Sequence, residues 1–187
     1  MKRLTVLVDM DDTIINLLDA WVDSLNRSYG TEVKTEDVTQ WNIAKFFPSL
    51  TSEQVYFPLL CDDFWYNVLP KEGAAEALRQ LINDGHKVLI VTSSLYQTLR
   101  TKMDVTLFGY FPFITWEDVI ITGYKQLIKG DVLVDDGVHN LENGDYFKVL
   151  MDAPHNRTYD AESNGMHRTS DWGEVYSLIT EYANTLE

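Results

Sequence analysis

The chain of 187 residues is short of three things, and each shortage narrows its function. Cysteine occurs once, at Cys61, so no internal disulfide can form and the thiol suits a reducing cytoplasm. Basic residues are scarce: 15 Lys and Arg stand against 29 Asp and Glu, a formal net charge of −14. A nucleic-acid polymer is held by clustered Lys and Arg, so it is not an expected partner. Long apolar runs are missing as well. The stretch behind Lys2 and Arg3 stops at Asp9, far short of a signal segment or a membrane span. With no repeat or low-complexity tract, the length suits one domain with an ample core and a small accessory lobe. The expectation is a cytoplasmic protein with no membrane or polymer partner. The sequence leaves its oligomeric state open, a homodimer included.

What is present begins with Val6, Leu7 and Val8 running into Asp9, Met10, Asp11, Asp12 and Thr13. An apolar β-branched run that ends in three acids delivers carboxylates to one exposed lip, where their repulsion demands a cation. Asp9 and Asp11 lie two apart on an extended chain and face one ligand together. All-oxygen donors of this kind suit Mg²⁺, which keeps room for waters and phosphate oxygens.

Further strand-like runs fall at residues 87–91, 118–121, 132–134 and 148–151, after the first at 4–8. Helical patterns lie between several of them. In residues 73–83, for example, Ala74, Ala77, Leu78, Leu81 and Ile82 share a face and Gly85 provides a stop. This alternation predicts an α/β fold, a doubly wound Rossmann-like parallel sheet wrapped by helices. Ligands in such sheets gather at the carboxyl ends of strands. Residues 14–69 interrupt the pattern. They are rich in Trp, Phe and Tyr, with helix-like stretches at 17–29 and 52–60 and no long strand, and they predict a small helical cap inserted after the first strand. The core is then 1–13 and 70–187, closed by a final helix from Trp172 to Leu186.

Four motifs follow in order, each behind a strand-like run: Asp9-Met10-Asp11-Asp12-Thr13, then Thr92-Ser93, then Lys125, then Asp135-Asp136. Together they resemble the four motifs of the haloacid-dehalogenase-like phosphohydrolases. The stretches Asp63-Phe64-Trp65-Tyr66-Asn67-Val68-Leu69-Pro70, Ile120 to Asp136, and Ala153-Pro154-His155-Asn156 with Ser170-Asp171-Trp172 are similar to the 5′(3′)-deoxyribonucleotidases within that superfamily.

The resemblance implies a Mg²⁺-dependent phosphatase of deoxyribonucleoside 5′- or 3′-monophosphates that works through an aspartyl-phosphate. Asp9 is then the nucleophile, and Asp11 the acid that protonates the leaving oxygen and later the base toward water. A carboxyl titrates near pH ~4, so Asp11 must be raised to act as an acid. Asp9, Asp136 and the Asp11 carbonyl hold the metal, and Asp135 either joins them or aligns Lys125. Thr92, Ser93 and Lys125 take the phosphate. Trp41 and Trp65 lie near the base or sugar, with Leu17 and Gln40 beside them; an aromatic plane stacked on a base is worth about 1–3 kcal/mol in single-strand systems. His86, His139, His155 and His167 have no metal-ligand spacing and receive no chemical role.

Two competing readings remain. A phosphatase of another small phosphomonoester, such as a sugar phosphate, shares the core motifs and differs in the cap. A phosphoacceptor receiver-type regulatory module also combines acids, Mg²⁺, Thr and Lys on a doubly wound sheet, but phosphorylates a middle strand and lacks the large insertion.

Overall fold

The structure, a computed structural model, describes residues 2–142 and 144–186. Short apolar runs form six parallel strands: β1 Thr5–Val8, β2 Lys87–Thr92, β3 Val119–Ile121, β4 Val132–Asp135, β5 Phe147–Met151 and β6 Met166–Thr169. Their order across the sheet is β3-β2-β1-β4-β5-β6, with the chain doubling back on either side of β1. β1 sits centrally, pairing Val6 with Val88 and Val132 and Val8 with Ile90 and Val134. A strand covered on both faces has no polar side to present, and so Val6, Leu7 and Val8 are all fully buried.

The two-residue period of a strand divides the core. Val6, Val8, Val88, Ile90, Val132 and Val134 face the helices α4 Ala74–Asn83 and α8 Trp172–Thr185. Leu7, Val91, Leu133 and Leu150 face the other side, with Leu141 of α7 Val138–Glu142. Gly130 is required where the chain turns into β4, because a Cβ there would lie 2.6 Å from Leu7 Cγ.

Between β1 and α4 the chain builds α1 Leu17–Tyr29, α2 Ser52–Tyr56 and α3 Asp62–Trp65, joined by two 3-10 turns before α2 and one after it. Leu18, Val22 and Leu25 of α1 close with Val38, Ile43, Phe47 and Val55 into an apolar cluster separate from that of the sheet. The two ends of this excursion meet: the Asn16 amide donates to Leu69 O at 2.8 Å, and the Lys71 amide to Ile14 O at 2.8 Å.

The sequence pattern misses two elements. β6 is an edge strand with His167 exposed, so it carries no apolar run. After β2 a helical run begins at α5 Leu99–Thr101, widens to a π-helix over Lys102–Leu107 and ends at α6 Phe108–Tyr110. Its buried face contains a lysine, Lys102, which masks the apolar period. Among the described residues no helix is long and apolar enough to cross a membrane.

Candidate active site

The parallel order brings the ends of β1, β2 and β4 side by side, and with them most of the residues singled out above. Asp9 continues the ladder beyond β1, its amide donating to Val134 O at 2.9 Å. Asp135 ends β4 and Asp136 follows it. Oxygens of Asp9, Asp135 and Asp136 lie within 4.8 Å of one another, and all three side chains are buried.

Lys125 reaches this cluster from a one-turn 3-10 helix, Lys125–Leu127, whose backbone is pinned from outside. The single Tyr146 O–H is shared between two carbonyls, Ile128 O at 2.6 Å and Lys125 O at 3.1 Å. The Lys125 Nζ lies 2.6 Å from Asp9 Oδ1 and 2.7 Å from Asp135 Oδ2. Burial works against its charge, but Asp9 and Asp135 hold Lys125 well above its ordinary range, so it stays protonated. Asp135 is used up in this arrangement: its Oδ1 also accepts the Gly137 amide at 2.7 Å and Asn140 Nδ2 at 3.0 Å.

The remaining acids are all raised above the ordinary carboxylate range. Burial raises Asp136, and Asp9 and Asp135 add to it. Burial also raises Asp9 against the pull of Lys125, and raises Asp11 against the pull of Lys102. Asp12 is pushed up to about 8, first by burial and then by Asp136. Five carboxyls are thus gathered with two ammonium groups in direct contact, Lys125 and Lys102. This excess of buried oxygen donors, none of them sulfur or imidazole, fits a hard divalent cation.

Asp12 occupies a conformation with φ 53°, the one non-glycine residue with positive φ among those described. The turn sends its Oδ1 to the Leu18 amide at 2.9 Å, where it caps the first turn of α1. The acidic loop and the helix over the site are therefore one hydrogen-bonded unit. On the other side, the Trp172 Nε1 of α8 donates to Thr13 O at 3.1 Å.

Above the acids lies a cavity of about 330 Å³. Asp9, Asp11, Asp12, Asp136, Lys125 and Ser93 form one end, and Leu17, Trp21, Val38, Gln40, Trp41 and Tyr56 are among those lining the other. Trp41 is 63% exposed and stands edge-on to His139 and His155, with ring centroids 4.9 Å and 5.0 Å away. His155 Nε2 in turn lies 3.3 Å from Asp136 Oδ2. Both histidines line the cavity, as do Trp21 and Tyr56, although histidine spacing along the chain gave no hint of it.

Two of the expected contact residues lie behind the cavity wall. Trp65 is 4% exposed, packs edge-to-face on Phe64 and is not among the residues lining the cavity. It belongs to the core because α3 turns its ring inward, toward Lys102. Thr92 is fully buried and outside the lining too, its Oγ1 donating to Ser93 O at 3.3 Å, so of that pair it is Ser93 that faces the cavity.

A doubly wound parallel sheet with an acid pair at β4, an acidic loop at β1 and a lysine that touches both defines a haloacid-dehalogenase-like fold. Solved structures agree on this fold: a haloacid-dehalogenase family hydrolase from Deinococcus radiodurans aligns with TM-score 0.61 and 17% identity, covering 96% of each chain. A conserved haloacid-dehalogenase-like protein from Agrobacterium tumefaciens aligns with TM-score 0.64 and 14% identity, covering 96% of this chain and 98% of its own. Within that class, residues 3–185 match the family described as 5′ nucleotidase, deoxy (Pyrimidine), cytosolic type C protein, and the chain belongs to it. It is 34% identical over 177 residues to the 5′(3′)-deoxyribonucleotidase of Bacillus subtilis, covering 94% of this chain and 97% of the relative. The corresponding enzyme of Clostridium acetobutylicum is 29% identical over 178 residues, covering 95% and 96%. The protein is a phosphomonoester hydrolase.

Proposed function

We propose that this hydrolase removes the phosphate from deoxyribonucleoside 5′- or 3′-monophosphates, with Asp9 as nucleophile and Mg²⁺ as cofactor. The observation that carries the reading is the joining of two ends in one cavity: a buried Asp9 held at 2.6 Å by Lys125, and a wall of Trp21, Trp41 and Tyr56. The first suits a phosphoryl group, the second a flat apolar base.

Asp9 and Asp136, with the backbone of Asp11, would hold the cation, while Asp135 is kept from it by Lys125, Gly137 and Asn140. When bound, the cation supplies positive charge that offsets the phosphoryl oxygens and the acids around them. Asp9 forms a bond to phosphorus as the ester P–O bond breaks and its electron pair leaves on the sugar oxygen. Asp11 gives its proton to that oxygen, which its raised affinity for protons permits. Water then attacks the aspartyl-phosphate, Asp11 takes the water's proton, and inorganic phosphate leaves with Asp9 regenerated. Lys125 and Ser93 stabilise the transferring group, since phosphoryl transfer asks chiefly for positioning and charge.

Residues 14–69 act as the cap that closes over this chemistry and excludes water. The testing experiment profiles the purified protein against deoxyribonucleotides, ribonucleotides and sugar phosphates. The expected result is a higher kcat/KM for deoxyribonucleoside monophosphates. A higher value for sugar phosphates would overturn the substrate assignment and leave the hydrolase class intact.

A further inference from the structure

Lys102 is a charged residue with which the chemistry above has no dealings, yet it is 2% exposed. An ammonium group is expensive to bury unless its donors are satisfied, and here each has a direction. Nζ lies 2.7 Å from Asp11 Oδ2, 3.1 Å from Ser94 Oγ and 3.5 Å from Thr92 Oγ1. The Trp65 ring lies beneath it, 5.0 Å from Nζ to centroid, where the negative face of an indole attracts a cation.

The other oxygen of Asp11, Oδ1, is buried and finds no hydrogen-bond partner among the described residues. Lys102 is therefore what fixes this carboxyl. It stands at the first residue of the π-helix, a widened turn that recurs at functional sites. It does not line the cavity, so it meets no substrate, and a purely structural position of this volume would be filled as well by an apolar side chain.

We infer that Lys102 is a positioning residue that holds Asp11 where it can protonate the leaving oxygen, its own orientation being set by Ser94, Thr92 and Trp65. The inference rests on the role given to Asp11 under the proposed function. Its signature is dependence on the leaving group. A sugar alkoxide needs a proton as it departs; p-nitrophenolate does not.

The test compares kcat/KM, which reports the steps through departure of the leaving group, for a deoxyribonucleoside monophosphate and for p-nitrophenyl phosphate. Losing a positioned general acid costs about 10²–10⁴-fold, so Lys102→Met should lose about 10²-fold on the nucleotide and less than about tenfold on the aryl ester. In the Asp11→Asn background the same change should add almost nothing on the nucleotide, because the residue it positions is already disabled. Equal losses on the two substrates, or additive losses in the double variant, overturn the inference while Asp11→Asn alone still discriminates between substrates. If Asp11→Asn itself loses equally on both, the role of Asp11 falls instead. Should Lys102→Met fail to fold, Lys102→Gln is judged by the same criteria.

Discussion

Asp135 and Lys125 are locked together before any substrate arrives: Oδ2 meets Nζ at 2.7 Å, and Asp135 Oδ1 is already occupied by the Gly137 amide at 2.7 Å. Under the proposed function, Asp135 and Asp136, neighbours in sequence, have different work. Lys125→Ala should lower kcat by roughly 10²–10³-fold, the scale for one preorganised charge stabiliser. Asp135→Asn should share part of that loss and leave the Mg²⁺ concentration for half-activation unchanged. Asp136→Asn should raise it. Activity titrations with Mg²⁺ on the three variants check the division, and a raised Mg²⁺ requirement in Asp135→Asn would reassign that residue to the metal.

Asp9→Asn should keep the fold, because the change is isosteric and leaves the hydrogen bond from its backbone N–H to Val134 O intact. Turnover should fall about 10⁴-fold or more, as loss of a nucleophile does. Thermal melts and steady-state rates measure the two parts separately. Rapid acid quench with a radiolabelled substrate should trap phosphate on the wild-type chain and none on the variant.

Without metal, stability should decline as pH rises. Asp12 binds its proton with a value of about 8 in the folded chain against an ordinary 3.8, and Asp9, Asp11 and Asp136 are raised as well. A group raised in the folded state contributes stability that is lost as pH climbs through its folded value, because above it the folded chain holds ionised acids at close quarters. The Tm of chelator-treated protein should therefore fall between about pH 5 and about pH 8, and added Mg²⁺ should raise Tm more at the upper end. A metal-induced shift that is the same at both ends would show that the acids are not what the cation relieves. The same chelator treatment should abolish activity.

The two tryptophans singled out by resemblance should behave differently. Trp41→Ala, at an exposed position on the cavity wall, should raise KM for deoxyribonucleotides far more than for a minimal aryl phosphate and leave stability nearly unchanged. Trp65→Ala should destabilise the protein by about 3–5 kcal/mol, as emptying a buried aromatic site does. Paired kinetics and denaturant melts separate the effects; a nucleotide-specific KM effect in folded Trp65→Ala would return that residue to the base site.

Much of the candidate site was legible because it sits on strand ends. Val6 to Asp9 and Val132 to Asp136 carry both the apolar run and the acids that follow it, so one reading of the sequence located strand and site together. Lys102 was not legible in that way. Its signal is a lysine on a buried helical face with Met103, Thr106 and Leu107, and only the tertiary contact with Asp11 gives it a purpose. The histidines failed for the same reason. His139 comes from α7 and His155 from a 3-10 turn after β5, and they acquire meaning by flanking Trp41, a relation that no spacing along the chain contains. Trp65 shows the converse, since aromatic residues near a site and aromatic residues beneath it look alike in sequence.

The hydrogen bonds that join residues 14 to 71 and 16 to 69 draw the two ends of the intervening segment together, while Leu17, Phe64, Trp65 and Val68 of that segment pack into the core of the sheet. Leu18, Val22 and Leu25 of α1 close a second apolar cluster within that segment, while the acids stand at the strand ends and Lys125 on the 3-10 turn beside them. Under the proposed function, substitutions on the cavity-facing side of that second cluster would redraw which molecule is admitted while the acids and Lys125 stay in place. A lineage of enzymes built on this plan can change diet without relearning its chemistry.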